Sequence, residues 1–366
     1  MDYRISPDER SRFKRCRRQW DYASPNRQDL EALAPPGASL QSAIKDALAA
    51  YYYPGTWDWQ RQIVIPLVRK AFQRAVGEQR GSDQDRAALV EQGTPLLERY
   101  LGWAPTLDNF APIKIDHDVE GLIMNPLDLE SGLLTPDGRR VIYTERIDLL
   151  AVDADDEYWV VRHLVVDDWQ DVNTMLLDEQ AVAGCWGWEQ IYLGMEIAGT
   201  IHNEIRGTAD ADEPEPPDQV ELDSADLPRV AGNDASGGGR NIPQHRRLYA
   251  QSHASEPKPR VVQESAGPIR RTWIRRSRDE IEAMSRQIGT EALLMLDAGS
   301  AVFPTPAAHC QACEFVAPCL ATTEGSDPSQ ILAEGYRRRE PVPPVKAKLG
   351  QTTWSIGRGA APPPKW

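Results

Sequence analysis

Three of the five cysteines in this chain of 366 residues lie within ten residues of one another. They are Cys310, Cys313 and Cys319, in the pattern C-x2-C-x5-C. Two thiolates separated by two residues can bind one metal across a tight turn, and a four-thiolate site then needs one further ligand. Cys16 is the free candidate, because Cys185 lies in an apolar, tryptophan-rich stretch that is typical of a buried small residue. The spacing therefore predicts a metal site formed by Cys16 and these three cysteines.

Two kinds of metal fit this pattern. Zinc is one alternative, because His309 adjoins Cys310 and could complete a Cys3His set. Structural zinc sites usually combine two closely spaced pairs of ligands, however, and this chain offers a single pair. The five-residue spacing before Cys319 and the distant fourth cysteine favour an iron–sulfur cluster of the 4Fe-4S type. Unrelated structural cysteines are the remaining interpretation.

The elements that must position these cysteines are predicted from periodicity and capping residues. Ser6 and Pro7 are typical of a helix start, and Ser277 and Glu280 form a capping-box pattern at another. Apolar residues at helical spacing predict helices over 8–22, 39–52, 59–77, 83–101, 177–195 and 277–299. Alternating or continuous apolar runs predict strands over 113–119, 141–153, 157–166 and 197–205. Together they predict an α/β fold with a mixed β-sheet flanked by helices.

Changes in composition divide the chain into five segments. Residues 208–240 are rich in acids, prolines and glycines, which is typical of a flexible acidic insertion. The predicted organisation is an N-terminal helical part (1–110), an α/β core (111–207), the flexible insertion (208–244), a basic segment with a helix and the cysteine cluster that closes the core (245–322), and a loosely ordered tail (323–366).

The charge of the chain restricts its partners. It has 41 Lys and Arg against 55 Asp and Glu, a net charge of −14, which excludes a uniformly basic nucleic-acid coat but not a local basic groove. Two basic segments, 4–18 and 245–278, form the candidate phosphate-contacting surface. The arginines predicted to contact DNA are Arg15, Arg17, Arg18, Arg270, Arg271, Arg275 and Arg276.

The sequence also bears on location. No apolar run reaches 18 residues, so no membrane-spanning helix is expected. The basic start is not followed by the apolar stretch of a signal peptide. We therefore expect a cytoplasmic protein with reduced cysteines and no membrane partner.

The cysteine pattern and three further motifs resemble the PD-(D/E)XK nuclease superfamily, in particular the RecB/Cas4/AddB-like nucleases with an iron–sulfur cysteine staple. The resemblance covers about residues 4–322. The further motifs are Ser6…Phe13-x2-Cys16 at the start, Glu145-Arg146-Ile147-Asp148, which resembles a G-R-I-D strand, and Glu179-Gln180 with Tyr192, which resembles a Q…Y helix. The resemblance implies a restriction-endonuclease-like core whose chain ends are clamped by the four cysteines.

This sequence departs from the family pattern at the residues that carry the chemistry. In such nucleases acids bind Mg²⁺ or Mn²⁺, and a lysine stabilises the developing negative charge. Asp148 matches the first acid, and Gln180 matches the helix glutamine. Arg162 stands where the second acid is expected, Leu164 where the lysine is expected, and Gln41 where a histidine on an early helix is expected. The resemblance therefore implies a vestigial catalytic site.

The missing lysine and the missing second acid could in principle come from other positions in the chain. A lysine on a neighbouring core element is not expected, because no lysine occurs between Lys114 and Lys258. Asp167 or Asp168 could enter a metal site only if the strand register slipped by several residues.

The preferred interpretation is a nuclease-family protein of DNA repair, recombination or defence whose catalytic motif is degenerate. It is expected to bind DNA or to assemble a complex, with a helicase or another recombination or defence protein as partner. One alternative is an active Mg²⁺- or Mn²⁺-dependent DNA exonuclease with displaced acids. Another is a zinc-stapled partner-binding protein.

Overall fold

The computed structural model describes residues 2–33, 39–207, 219–222, 259–297 and 299–339. These residues form a mixed eight-stranded sheet flanked by helices, which confirms the predicted fold class. The strands are β1 (Tyr3–Ile5), β2 (Leu30–Ala32), β3 (Phe110–Leu122), β4 (Met124–Asn125), β5 (Asp128–Gly132), β6 (Val141–Asp153), β7 (Tyr158–Val166), β8 (Ile197–Arg206), β9 (Gln219–Leu222), β10 (Val261–Ala266), β11 (Ile269–Arg275) and β12 (Tyr336–Arg338). The helices are α1 (Pro7–Arg15), α2 (Arg17–Ala23), α3 (Leu40–Tyr51), α4 (Arg61–Glu78), α5 (Asp83–Leu107), α6 (Val172–Leu176), α7 (Glu179–Ile191), α8 (Arg278–Leu296), α9 (Val316–Thr323) and α10 (Ser329–Gly335).

Strand β6 is the centre of the sheet, because three strands pair with it. β3 runs antiparallel along one edge of β6 from residue 153 to residue 142. On the other edge, β1 pairs in parallel with residues 141–143, and β7 pairs antiparallel with residues 149–152. Residues 144–148 of β6 therefore lie in the gap between β1 and β7.

The rest of the sheet extends from β7. β8 pairs with β7 in parallel, and the chain crosses between them through α6 and α7. β11, β10 and β9 then follow as antiparallel strands. This connection places α7 against β6, β7 and β8, beside the gap in the β6 pairing.

Two apolar cores cover the two faces of the sheet. α3, α4 and α5 pack on one face, where Leu149 and Val161 are buried. α1, α7 and α8 pack on the other, where Ile147 is buried. Since Ile147 and Leu149 face different cores, the side-chain alternation of β6 changes at Asp148. At this level of the ladder Asp116 of β3 has a φ of +46°, a left-handed conformation that Asp adopts more readily than most residues.

The helix predicted over 8–22 is two helices. As predicted, Ser6 caps the first, accepting a hydrogen bond from the Glu9 backbone N–H at 3.2 Å, and Pro7 is its first residue. Cys16 ends α1 because its backbone is extended, with a φ of −159°, and α2 begins at Arg17. The break places Cys16 at a junction rather than on a helix face.

Several other boundaries differ from prediction. The basic segment 245–278 includes strands β10 and β11, which the sequence reasoning missed. The tail that was expected to be loosely ordered from residue 323 contains α10 and β12. The flexible insertion predicted over 208–244 lies outside the described residues, apart from β9. In the described part of the chain, no helix is long and apolar enough to cross a membrane.

Candidate functional site

The four predicted thiol ligands come from both ends of the chain. Cys16 lies at the α1–α2 junction, Cys310 lies in a short 3-10 turn and Cys313 ends that turn, whereas Cys319 lies on α9. All are free thiols. Burial raises the pKa of the Cys313 thiol, and the charges of Cys16, Cys310 and Cys319 raise it further. The other three thiols are thus close enough to Cys313 to act on it electrostatically.

Arg18 connects the two chain ends at this place. Its guanidinium donates to the Cys319 carbonyl oxygen at 3.2 Å and to the Thr323 hydroxyl at 3.1 Å, and it lies 3.7 Å from the Cys319 Sγ. Its backbone N–H donates to the Phe303 carbonyl at 3.1 Å. Arg18, predicted to contact DNA, therefore joins α2 to α9 instead of projecting freely.

Four thiols are a suitable donor set for a metal, but their sulfur atoms are not as close together as in a tetrahedral zinc site. A tetrahedral zinc with bonds of about 2.3 Å would hold its four sulfurs about 3.8 Å apart. Within the described residues, no three of these cysteine sulfurs lie within 4.8 Å of one another. The buried Nε2 of the neighbouring His309 has no hydrogen-bond partner. Metal binding by these four thiols therefore stays a prediction.

A second cluster of polar side chains lies in the gap between β1 and β7. Lys45, Glu145, Asp148, Arg162 and Gln180 line one small cavity there. α3 supplies the lysine, β6 the two acids, β7 the arginine and α7 the glutamine. The cavity therefore gathers Asp148, Arg162 and Gln180, three of the residues predicted for the vestigial catalytic site.

Asp148 already has a cation beside it. The Lys45 Nζ lies 2.9 Å from the Asp148 carboxylate, and the His163 backbone N–H donates to the same oxygen at 2.9 Å. The expectation that no lysine is available near the core was wrong. It considered the chain between Lys114 and Lys258, whereas α3 brings a lysine from the N-terminal part.

Arg162, which the resemblance aligns with the second acid, forms an ion pair of its own. Its guanidinium pairs with the Asp178 carboxylate and donates to the Gln180 side-chain oxygen at 3.0 Å. Gln180 in turn donates to Glu145 at 3.0 Å. Asp178 is also the N-cap of α7, so this network ties the start of α7 to β7.

Glu145 is a buried acid that the sequence reasoning quoted only as part of a motif. It is 8% exposed and accepts a hydrogen bond from the Tyr143 hydroxyl at 2.8 Å. Burial raises its pKa from 4.5 to about 7, although the hydrogen bonds from Tyr143 and Gln180 act in the opposite direction. Glu145 is therefore largely protonated below neutral pH.

The two remaining positions of the predicted site have structural roles. The Gln41 side chain donates to the His163 carbonyl at 2.7 Å and accepts from the Val165 N–H at 2.5 Å. It thus pairs with the backbone of β7 like a short extra strand. Leu164 is half-buried, on a strand whose backbone pairs regularly with β8.

The register alternative fails. β7 pairs with β8 without irregularity from Trp159 to Val166. Asp167 follows His163 by four residues, so a strand rise of about 3.3 Å per residue places it roughly 13 Å from the backbone that contacts Asp148. Asp167 and Asp168 are both exposed, and neither enters the cavity.

Two of the arginines predicted to contact DNA are buried. The Arg271 side chain is 0% exposed, 2.7 Å from the Asp108 carboxylate and 2.8 Å from the Tyr52 hydroxyl. The Arg276 side chain is also 0% exposed and donates to the carbonyls of Met175 and Leu176 at 2.7 Å. Neither can reach a phosphate from these positions, so the prediction is wrong for both.

The other arginines of that prediction have intramolecular partners, and all are partly exposed except Arg15, which is exposed. Arg270 pairs with Glu204, and Arg275 pairs with Glu157. Arg15 donates to Gln19, and the Arg17 guanidinium lies 3.7 Å from the centre of the Phe13 ring. Their contact with DNA stays a prediction.

The charges of the cavity are balanced within the protein. Lys45 neutralises Asp148, Arg162 neutralises Asp178, and Glu145 holds a proton below a pH of about 7. Below that pH the cavity therefore offers no uncompensated carboxylate to a divalent cation. The signal that could have identified Lys45 is its helical spacing from Gln41, since residues i and i+4 share one face of a helix.

Comparison with models of known protein families and with curated proteins found no match to this chain.

Proposed function

We propose that this chain is a nuclease-like protein of DNA processing that binds DNA or assembles a complex without cleaving DNA. The observation that carries the proposal is the pair of cations in the cavity, Lys45 on Asp148 and Arg162 on Asp178. Arg162 stands where the resemblance expects a free carboxylate, and Lys45 is paired with the acid that would hold the metal. The resemblance to the RecB-like nucleases supplies the DNA-processing context, with a helicase or another recombination or defence protein as the expected partner and the cytoplasm as the expected location.

Electrostatics opposes a divalent ion in this cavity. A fixed positive charge about 5 Å away repels such an ion by on the order of several kcal/mol, even at an effective dielectric near 20. Arg162 cannot coordinate the ion, because a guanidinium has no lone pair to offer. A metal ion would therefore compete with Lys45 for the Asp148 carboxylate and would be repelled by Arg162.

The larger cavity beside the site does not suit a phosphate backbone either. It has a volume of about 470 Å³, and Glu145 and Gln180 line it as well as the smaller cavity. Its remaining charged residues are Arg4, Arg146, Asp8, Asp118 and Glu120. Arg4 is paired with Glu120, and Arg146 is paired with Asp116 and Asp118, so the acids outnumber the free cations. DNA is expected to contact another face.

We propose a 4Fe-4S cluster at the four thiols, with zinc as the alternative. Cys16, Cys310, Cys313 and Cys319 would hold it, and when bound it cross-links the two ends of the chain. Closing a loop of almost 300 residues restricts the unfolded chain strongly. The contacts of Arg18 with α9 act in the same direction without a metal.

An active Mg²⁺- or Mn²⁺-dependent nuclease is the second candidate. The observation that favours it is the 2.9 Å distance between Lys45 and Asp148, which places a lysine beside the first acid from a different element. With Glu145 as a second acid, the cavity would then hold the required residue types. This candidate requires that Arg162 move away from the cavity when DNA and metal bind.

One experiment separates these candidates. Fluorescently labelled single- and double-stranded DNA is incubated with the protein in Mg²⁺ or Mn²⁺, anisotropy reports binding, and gel electrophoresis of the same samples reports cleavage. We expect salt-dependent binding and intact DNA. Cleavage that Asp148→Ala abolishes would establish the second candidate, and cleavage that persists in this variant would identify a contaminant.

Iron and zinc analysis of anaerobically purified protein completes the test. Iron with sulfide supports the cluster. Zinc without DNA binding would instead support a zinc-stapled partner-binding protein.

A further inference from the structure

The chain beyond the last cysteine folds back against β2 and the segment that carries Cys313. Residues 329–339, here called the C-terminal strap, comprise α10, β12 and Arg339. β12 pairs antiparallel with β2, from Tyr336 opposite Ala32 to Arg338 opposite Leu30. The pairing is extended by backbone hydrogen bonds of 2.9 Å at both ends. The strap thus attaches to the segment that directly follows α2 and Cys16.

An ion pair reinforces this two-stranded sheet. The Arg337 guanidinium donates to the Glu31 carboxylate at 2.8 Å. The two residues are directly opposite each other in the β2–β12 register. Such an exposed cross-strand pair stabilises a sheet only modestly, so the strap also depends on apolar packing.

That packing is centred on Tyr336. Its ring stacks on Phe315 with the ring centres 5.1 Å apart, and Phe315 in turn lies 5.3 Å from Tyr22. The Tyr336 hydroxyl donates to the Glu314 carbonyl at 2.5 Å. Cys313 packs against the same aromatic cluster. Tyr336 therefore joins the strap to the backbone that carries Cys313.

We propose that the C-terminal strap shields the half-buried Cys313 thiol, and that detachment of the strap speeds the reaction of Cys313 with solvent reagents and chelators. The metal part of this proposal rests on the proposed function, whereas the protection of the thiol does not. A two-stranded sheet of three residues opens easily compared with the main sheet. Detachment of the strap is thus a local event that leaves the rest of the fold intact.

The test measures alkylation of Cys313 in the full-length, metal-free protein. N-ethylmaleimide is the probe, and mass spectrometry of the digested protein gives the rate at each cysteine. Tyr336→Ala removes the ring, and Tyr336→Phe keeps the stacking as a matched control. Because the lost aromatic stacking favours opening of the strap, we expect about tenfold faster alkylation of Cys313 in the alanine variant. The phenylalanine variant loses only the hydrogen bond to Glu314, so its rate is expected to lie between those of wild type and the alanine variant.

A surface pair provides the second test, in case Tyr336→Ala impairs folding. Arg337→Ala removes the ion pair with Glu31, and Arg338→Ala changes the exposed neighbour on the same strand. Faster alkylation in the first variant only supports this shielding. Equal rates in Tyr336→Ala and wild type, or equal rates in the two arginine variants, would overturn it.

The metal-loaded protein distinguishes failure of this inference from failure of the proposed function. In the same variants, the rate at which EDTA removes iron or zinc should rise in parallel with the alkylation rate. If the purified protein holds no metal but alkylation responds as expected, the shielding stands and the proposed metal site fails.

Discussion

Glu145→Gln tests the electrostatics of the cavity. In the wild-type protein burial raises the pKa of Glu145 from 4.5 to about 7. Tyr143 and Gln180 donate hydrogen bonds to it, and the charges of Arg162 and Asp178 act at longer range. A glutamine keeps nearly the same shape and still accepts from Tyr143, but it does not titrate.

The expected effect is a change in how stability depends on pH. Between pH 4.5 and about 7 the folded chain keeps a proton on Glu145 that the unfolded chain has lost. The free energy of unfolding of the wild-type protein therefore falls as pH rises through this window. A rise from 4.5 to about 7 corresponds to roughly 3 kcal/mol, at about 1.4 kcal/mol per pH unit. About 2 kcal/mol of this should be lost between about pH 5.5 and 8.

Urea unfolding followed by tryptophan fluorescence measures this effect across that pH range. The difference in unfolding free energy between wild type and Glu145→Gln should shift by about 2 kcal/mol in favour of the variant as pH rises. Glu130→Gln, at an exposed strand position, is the control and should follow wild type. Parallel curves for wild type and Glu145→Gln would refute the idea that Glu145 is protonated in the cavity.

Three further predictions concern the other parts of the account. Arg271→Met should lower the free energy of unfolding by about 3–5 kcal/mol, because it leaves the buried Asp108 carboxylate without its cation. The DNA affinity of the folded variant should equal that of wild type, and weaker DNA binding at full stability would contradict this. Cys16→Ser should reduce bound metal and lower the Tm, whereas Cys185→Ser should retain the metal, and equal metal contents would exclude Cys16 as a ligand. Lys45→Met should raise Mn²⁺ affinity at least about tenfold, because it removes the positive charge beside Asp148; unchanged affinity in calorimetric titrations would count against that pairing.

Four strands of the main sheet, β3, β6, β7 and β8, were predicted from the sequence. β6 and β7 consist mostly of apolar residues that are buried, so their apolar runs were visible without tertiary information. β11 was missed because arginines interrupt it, and their burial depends on partners far away in sequence. Arg271, for example, is satisfied by Asp108 and Tyr52, which no local pattern connects to it.

The candidate site was predicted only in part for the same reason. Asp148, Arg162 and Gln180 meet because β6, β7 and α7 follow one another along the chain. Lys45 comes from more than 100 residues earlier, and its approach to Asp148 depends on how α3 packs on the sheet. The break of the first helix at Cys16 was equally hidden, since the helical spacing of apolar residues continues through it.

Binding of Mn²⁺ to the metal-free protein, measured by electron paramagnetic resonance, tests the central claim most directly. The account predicts that below about pH 7 wild type binds no more Mn²⁺ than Asp148→Ala, because Lys45 pairs with Asp148, Arg162 pairs with Asp178, and Glu145 is protonated. It also predicts that Arg162→Glu, which replaces this cation with an acid, binds more Mn²⁺ than wild type. Specific Mn²⁺ binding by wild type that Asp148→Ala removes would contradict the account and would favour a working metal-dependent nuclease.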